Sequence, residues 1–265
     1  MKRTTSARRQ EAMTFISKKH GQFPYFDKLL GNPNWRGKRV LDFGGNIGNI
    51  LKHESSTIDH DKYWCIDVSK NAIEIGEQTY PEAHWIFYDR YNFAFNPNGI
   101  EGLELPHLET KFDFILAYSV FTHTVESEML ELVTRLEDWL AVNGVLAFTF
   151  IDPHYNPARD GNGGFHPGYY DGSCLKQRLD FMIKRGARID VQELLKRAEN
   201  ARWCVLVNED DLYIENEEIK SYAQNEKDWF CSFYSVDHVQ TLFPNSEVLP
   251  PPHSAYPHGD EVILQ

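Results

Sequence analysis

Between residues 38 and 151, short apolar runs alternate with amphipathic stretches, and this rhythm constrains the fold more than any other feature of the chain. The runs KRVLDFG (38–44), YWCIDV (63–68), AHWIFYD (83–89), FDFILAYSV (112–120) and VLAFTFI (145–151) have the length and β-branched or aromatic content of buried strands. Between them, NIGNILKHE is expected to open a helix directly after the first strand. SKNAIEIGEQ (69–78) reads as a helix capped by Ser69. TVESEMLELVTRLEDWL (124–140) is expected to be a helix capped by Thr124 and stopped by Asn143-Gly144, with Met129, Leu132, Val133, Leu136 and Leu140 on one face. Strands separated by helices pair in parallel through right-handed crossovers, which gives a doubly wound α/β sheet.

After residue 151 the rhythm breaks. Residues 152–230 are polar and Gly-rich, with helices expected near 174–185 and 191–200 and a hairpin formed by WCVLV and DLYIE. The sheet pattern is expected to resume at CSFYSVDHVQTLFP (231–244), with SEVLPPP and EVILQ as closing strands that bring the sheet to seven. The expected organisation is therefore an N-terminal helical cap (1–35), a sheet domain (36–151 and 231–265) and an insertion after the fifth strand (152–230) that serves as lid or acceptor platform.

Charge narrows the partners. The chain carries a net −12, while its first 20 residues hold six Lys or Arg against one Glu. A basic, acid-poor start suits a transit peptide or an amphipathic helix, and the helical spacing of Ala12, Phe15 and Ile16 favours the helix. An acidic body argues against nucleic acid, which is bound through clustered cations. No apolar run approaches the roughly 20 residues a bilayer span needs, so no membrane partner is expected. Cys65, Cys174, Cys204 and Cys231 form no CxxC pair; they read as free thiols of a reducing cytoplasm, without a zinc site. The sequence leaves an oligomer open.

The loop in VLDFGGNIGN (40–49) lies where open α/β sheets bind ligands, beyond the carboxyl end of the first strand. Gly44, Gly45 and Gly48 let backbone approach a ligand closely, and Asp67 follows nineteen residues after Gly48, where a ribose diol is held in dinucleotide folds. G-x-G-x-x-G fails, because Asn46 and Asn49 occupy the third and sixth positions from Gly44, and no P-loop is present. Asp42 stands just before the glycines. It would repel a pyrophosphate and attract an ammonium group.

On these residues the chain resembles the class I S-adenosylmethionine-dependent methyltransferases. VLDFGGNIG resembles their first motif, CIDVS their second, IFYDR their third, and FDFILAYSVFTH with LEDWLAVNGVLAFTF their fourth strand, helix and fifth strand. The resemblance covers about 36–151 and, weakly, 231–265, and it implies a Rossmann-like sheet with S-adenosyl-L-methionine as cofactor. Asn46 replaces the family's middle glycine, though Asn tolerates the left-handed conformation. The resemblance implies that Asp42 orients the methionine amino group and that Gly44, Gly45 and Asn46 line the methionine. It implies that Asp67 takes the ribose, Val68 packs on adenine, Asp89 with Arg90 reads the adenine edge, and Tyr118 and Ser119 lie beside the sulfonium. On structural grounds alone, Asp67 and Asp89 also suit helix caps or turns, and Val68 and Ser119 suit plain packing.

Methyl transfer is an in-line displacement that positioning alone can accelerate. If a proton acceptor is used, His123 after the fourth strand, His154 in IDPHY and His166 in the Gly-rich stretch are the candidates, since imidazole titrates near neutrality. Tyr155, Tyr169 and Tyr170 are candidate walls for an acceptor. Asp152, His154 and His166 match no metal-site spacing, so no metal is expected. The expected activity is methyl transfer to O, N or C of a small organic molecule. Alternatives are a peptide or protein side chain as acceptor, a catalytically silent cofactor-binding scaffold, and a nicotinamide oxidoreductase.

Overall fold

The computed structural model describes residues 22–92, 95–156, 172–184, 186–207, 211–215, 217, 230–249 and 260–264. Two compact units emerge: residues 1–120 with 130–148, and residues 121–129 with 149–265.

In the first unit, helix α1 (Gln22–Leu29) is followed by β1 (Val40–Phe43), β2 (Tyr63–Asp67), α2 (Lys70–Thr79), β3 (His84–Phe87) and β4 (Phe112–Ala117). Helix α3 (Glu126–Glu137) and strand β5 (Leu140–Ile151) continue the chain and straddle both units. The strands run parallel in the order β3-β2-β1-β4-β5. The order reverses between β1 and β4, and this switch point is where such sheets take ligands. β1 is buried along its whole length, with Leu41 beside Trp64 and Ile115 in register. Phe23 and Phe26 of α1 lie in the core, and Trp35 packs on Phe114 at 4.6 Å while its Nε1 donates to Asp27.

Ser69 caps α2 as expected, its hydroxyl accepting the Ala72 N–H. Three expectations need correction. The helix expected after the first strand is a run of turns through residues 46–52. Asn46 at φ 56° and Gly48 at φ 78° break any right-handed helix before its first turn closes. The Thr124 hydroxyl does not cap α3 but donates to Phe121 O; instead the Glu128 carboxylate reaches back to accept the Val125 N–H. Asn143-Gly144 does not stop a helix. It forms a bulge inside β5, where the partners of Phe112 and Phe114 jump from Leu140 to Val145. A side chain at 144 would meet Phe112 O at 2.7 Å.

The second unit holds α4 (Cys174–Lys184), α5 (Val191–Arg197), β6 (Trp203–Val207), β7 (Asp211–Ile214), β8 (Phe230–Tyr234), α6 (Val236–Leu242), β9 (Glu247–Leu249) and β10 (Asp260–Leu264). Both helices and the β6–β7 hairpin lie where the sequence pattern puts them, and Asp190 caps α5 through two N–H groups. β8 differs from expectation. Rather than resuming the parallel sheet, it pairs antiparallel with β6, giving a sheet in the order β7-β6-β8. The reason is local: Cys231 and Phe233 join Cys204 and Leu206 in the core that α4 and α5 cover. β9 and β10 form an antiparallel pair. All four cysteines are buried free thiols. No helix among the described residues is long and apolar enough to cross a membrane.

Candidate cofactor site

The glycine loop is built over two buried carboxylates. Asp42, one residue before the end of β1, and Asp67, the last residue of β2, are only 2% and 8% exposed. The Tyr63 hydroxyl donates to Asp42 Oδ2 at 2.7 Å. Burial, partly offset by this hydrogen bond and reinforced by the charge of Asp67, pushes the Asp42 carboxyl up to about 7. Asp67 is pushed up to about 6, again chiefly by burial, although two backbone N–H groups oppose the rise. Those groups are Asn46 N–H on Oδ2 at 2.8 Å and Ser69 N–H on Oδ1 at 2.7 Å. Asp67 thus clips the glycine loop to the start of α2, and each oxygen keeps acceptor capacity for a further donor.

The loop's shape follows from what lies beneath it. Gly44 has φ 75°, its N–H extends the ladder to Ile66 O, and a Cβ there would strike Val120 Cγ2 at 2.4 Å. At Gly45 a Cβ would lie 2.5 Å from the Asp42 carboxyl and 2.9 Å from Cys65 Sγ. Only a chain without side chains passes so closely over the carboxylate. Asn46 takes the left-handed conformation in place of glycine, with its Oδ1 accepting the Ile47 N–H. Cys65 Sγ donates to Asn46 O at 3.7 Å, and burial raises its thiol.

The other expected cofactor residues divide. Val68 is half-buried just beyond Asp67. Asp89 is half-buried, and its Oδ1 accepts from Asn96 Nδ2 at 3.0 Å. The Arg90 guanidinium grips Glu131 through two bonds of 2.9 and 2.8 Å and also donates to Leu103 O. Tyr118 packs edge-on against Tyr25 at 5.3 Å and against Phe26 at 6.1 Å, so α1 covers the end of β4. Ser119 follows at φ 55°, which aims the chain across toward Gly44 through Val120.

In the second unit, His123 ends a short 3-10 turn (Phe121–His123) and is half-buried, while His154 is exposed. The His154 N–H donates to Asp152 Oδ1, so Asp152 shapes the turn. Burial raises the Asp152 carboxyl. Tyr155 is half-buried against the core under α4 and α5. His166, Tyr169 and Tyr170 lie outside the described residues. No cluster of metal-ligating residues occurs among the described residues.

Two sets of residues escaped the sequence reading. Tyr63 and Cys65 share one face of β2 with Asp67, a period-two pattern that the sequence does carry. His238 of α6 is 7% exposed; its Nε2 is bonded to Glu126 at the start of α3, and its Nδ1 has no partner among the described residues. Nothing in local sequence spacing pairs residues 126 and 238.

Comparison with known proteins shows what this segment is similar to. Residues 41–146 match the family model described as a methyltransferase domain. That segment is similar to methyltransferase domains. The match opens on β1 and runs into β5, so it contains Asp42, the glycine loop, Asp67 and Asp89. Among solved structures, DesVI of Streptomyces venezuelae is similar at TM-score 0.52 and 11% identity, covering 99% of this chain and 98% of its own. A protein described as an S-adenosylmethionine-dependent methyltransferase from Clostridium acetobutylicum ATCC 824 is similar at TM-score 0.50 and 11% identity, covering 98% and 96%. At such identities the similarity speaks for the fold alone. No curated protein matches the chain.

Proposed function

We propose that this methyltransferase transfers a methyl group from S-adenosylmethionine to an O, N or C atom of a small organic molecule. The observation that carries the reading is the pair of buried carboxylates under a glycine loop at the sheet's switch point. These acceptors suit a cofactor with an ammonium group and a ribose diol, and they are a poor match for a pyrophosphate. S-adenosylmethionine supplies an activated methyl group on a sulfonium. Asp42 would favour the ammonium end from below Gly45. Asp67 would accept from the ribose, and Val68 and Asp89 would border the adenine.

The same reading takes β9 and β10 as the pair that completes a seven-stranded sheet. It takes residues 152–230 as the acceptor-binding insertion, residues 1–35 as a helical cap, and the cytoplasm as the compartment. His123 and His154 remain the candidates for accepting a proton, with His166, Tyr169 and Tyr170 contributed by the insertion. No nucleic-acid or membrane partner is needed, and an oligomer is compatible with the fold.

The test is methyl transfer from S-adenosylmethionine labelled in the methyl group, using fractionated cell extract as the acceptor pool. Label in the low-molecular-weight fraction is expected. Label confined to the protein fraction would replace the small acceptor by a polypeptide, and no transfer with tight cofactor binding would leave a binding scaffold.

A further inference from the structure

Beneath the glycine loop lies a side chain with no direct route to any ligand. Tyr63 opens β2, is fully buried, and packs against Trp85 at 5.9 Å. Its hydroxyl ends on Asp42 Oδ2 at 2.7 Å. Asp42 Oδ2 is in turn one of the atoms that a Cβ at Gly45 would meet at 2.5 Å. The order is therefore phenol, carboxylate, loop backbone, with Cys65 Sγ filling the remaining side and donating to Asn46 O.

We propose that Tyr63 is a positioning residue of the cofactor site, fixing the Asp42 carboxylate under Gly45 and so setting the loop's affinity for a ligand that carries an ammonium group. The inference rests on reading this loop as the S-adenosylmethionine site. The carboxylate lies so close under the loop that a Cβ at Gly45 would come within 2.5 Å of it, and a carboxylate with a free rotamer would turn away. The phenol holds Oδ2 in place and donates to the ionised form, which it favours over the protonated one. Among the described residues, the titratable groups facing Asp42 are Tyr63, Cys65 and Asp67, all from β2. Burial and the neighbouring Asp42 charge keep the phenol and the thiol in their neutral forms, so near neutral pH the carboxylates alone change charge.

The experiment is calorimetric titration with S-adenosylhomocysteine between pH 5.5 and 9, on wild type and on Tyr63→Phe. Wild-type affinity is expected to fall as the pH drops through about 7, as Asp42 takes up its proton. Loss of one hydrogen bond to a charged acceptor moves that midpoint up by about one pH unit in Tyr63→Phe. At pH 7 the variant then binds about fivefold more weakly, and the two curves converge at alkaline pH. The ligand's own ammonium titrates in both experiments and cancels in their ratio.

Difluorotyrosine placed at position 63 keeps the ring and donates more strongly, so its midpoint shifts down; this arm decides the matter should Tyr63→Phe not fold. Asp42→Asn is expected to flatten the acid limb of the profile. Wild-type binding with unchanged midpoints at position 63, or a limb that persists in Asp42→Asn, would overturn the positioning role while leaving the cofactor reading intact. Absence of wild-type binding at every pH would overturn both.

Discussion

Asp42→Asn is expected to make the protein more stable at alkaline pH. An aspartate whose folded value lies above its unfolded one holds its proton more tightly when folded. Its contribution is fully present below 3.8 and is lost as the pH climbs through about 7. The loss runs at about 1.4 kcal/mol per pH unit in that window, so between pH 5 and pH 8 it amounts to about 3 kcal/mol. That is a large share of the 5–15 kcal/mol that typically holds a domain together. Asparagine keeps an oxygen for the Tyr63 hydroxyl and cannot ionise. Any packing penalty from its amide, pressed against Gly45 and Cys65, is the same at both pH values and drops out of the comparison. Asp67, raised to about 6, weakens wild type and variant alike. Urea unfolding of both proteins at pH 5 and pH 8 reads the effect directly. The stability gap between variant and wild type should widen in the variant's favour by about 3 kcal/mol. A gap that stays constant would mean that Asp42 ionises as easily in the fold as in water, and the account of a carboxylate trapped beneath the loop would be wrong.

Gly44→Ala adds a Cβ at a backbone φ of 75° that would strike Val120, and should cost on the order of 2 kcal/mol by thermal unfolding. Adding Val120→Ala should relieve only the steric part; complete recovery would show that the left-handed backbone carries no cost. Arg90→Lys should lower stability by about 1.5 kcal/mol, because an ammonium cannot reproduce the two parallel bonds to Glu131. If Arg90 instead read the cofactor, the same substitution would weaken S-adenosylhomocysteine binding and leave the melting temperature alone. Asp190→Ala removes a cap that satisfies two N–H groups of α5 and should cost about 1 kcal/mol without altering cofactor affinity, a control for effects confined to the second unit.

The parallel sheet was legible because its strands announce themselves as short apolar runs with helical patterns between them, and because Asp42, the glycines and Asp67 follow a spacing set by the chemistry of the loop. What escaped has physical reasons. The helix expected after the first strand depends on Asn46 staying right-handed; the clip from Asp67 to its N–H stabilises the opposite choice. Asn143-Gly144 suits a helix stop and a β-bulge equally well by sequence, and only the pairing of Phe112 and Phe114 with β5 decides between them. β8 reads as a buried strand of any sheet; its partner is fixed by the side chains of β6, far away in sequence. The ion pair of Arg90 with Glu131 joins residues 41 positions apart, which no local spacing signals. Tyr63 was within reach, since alternate residues of β2 share a face with Asp67.

The most direct test of the central claim is calorimetric titration with S-adenosylhomocysteine at pH 7.5, on wild type and on Asp67→Ala. One-to-one saturable binding that the variant loses is the predicted result, because Asp67 both shapes the loop and offers the ribose its acceptors. Binding of NAD by the wild type with none of S-adenosylhomocysteine would contradict the account.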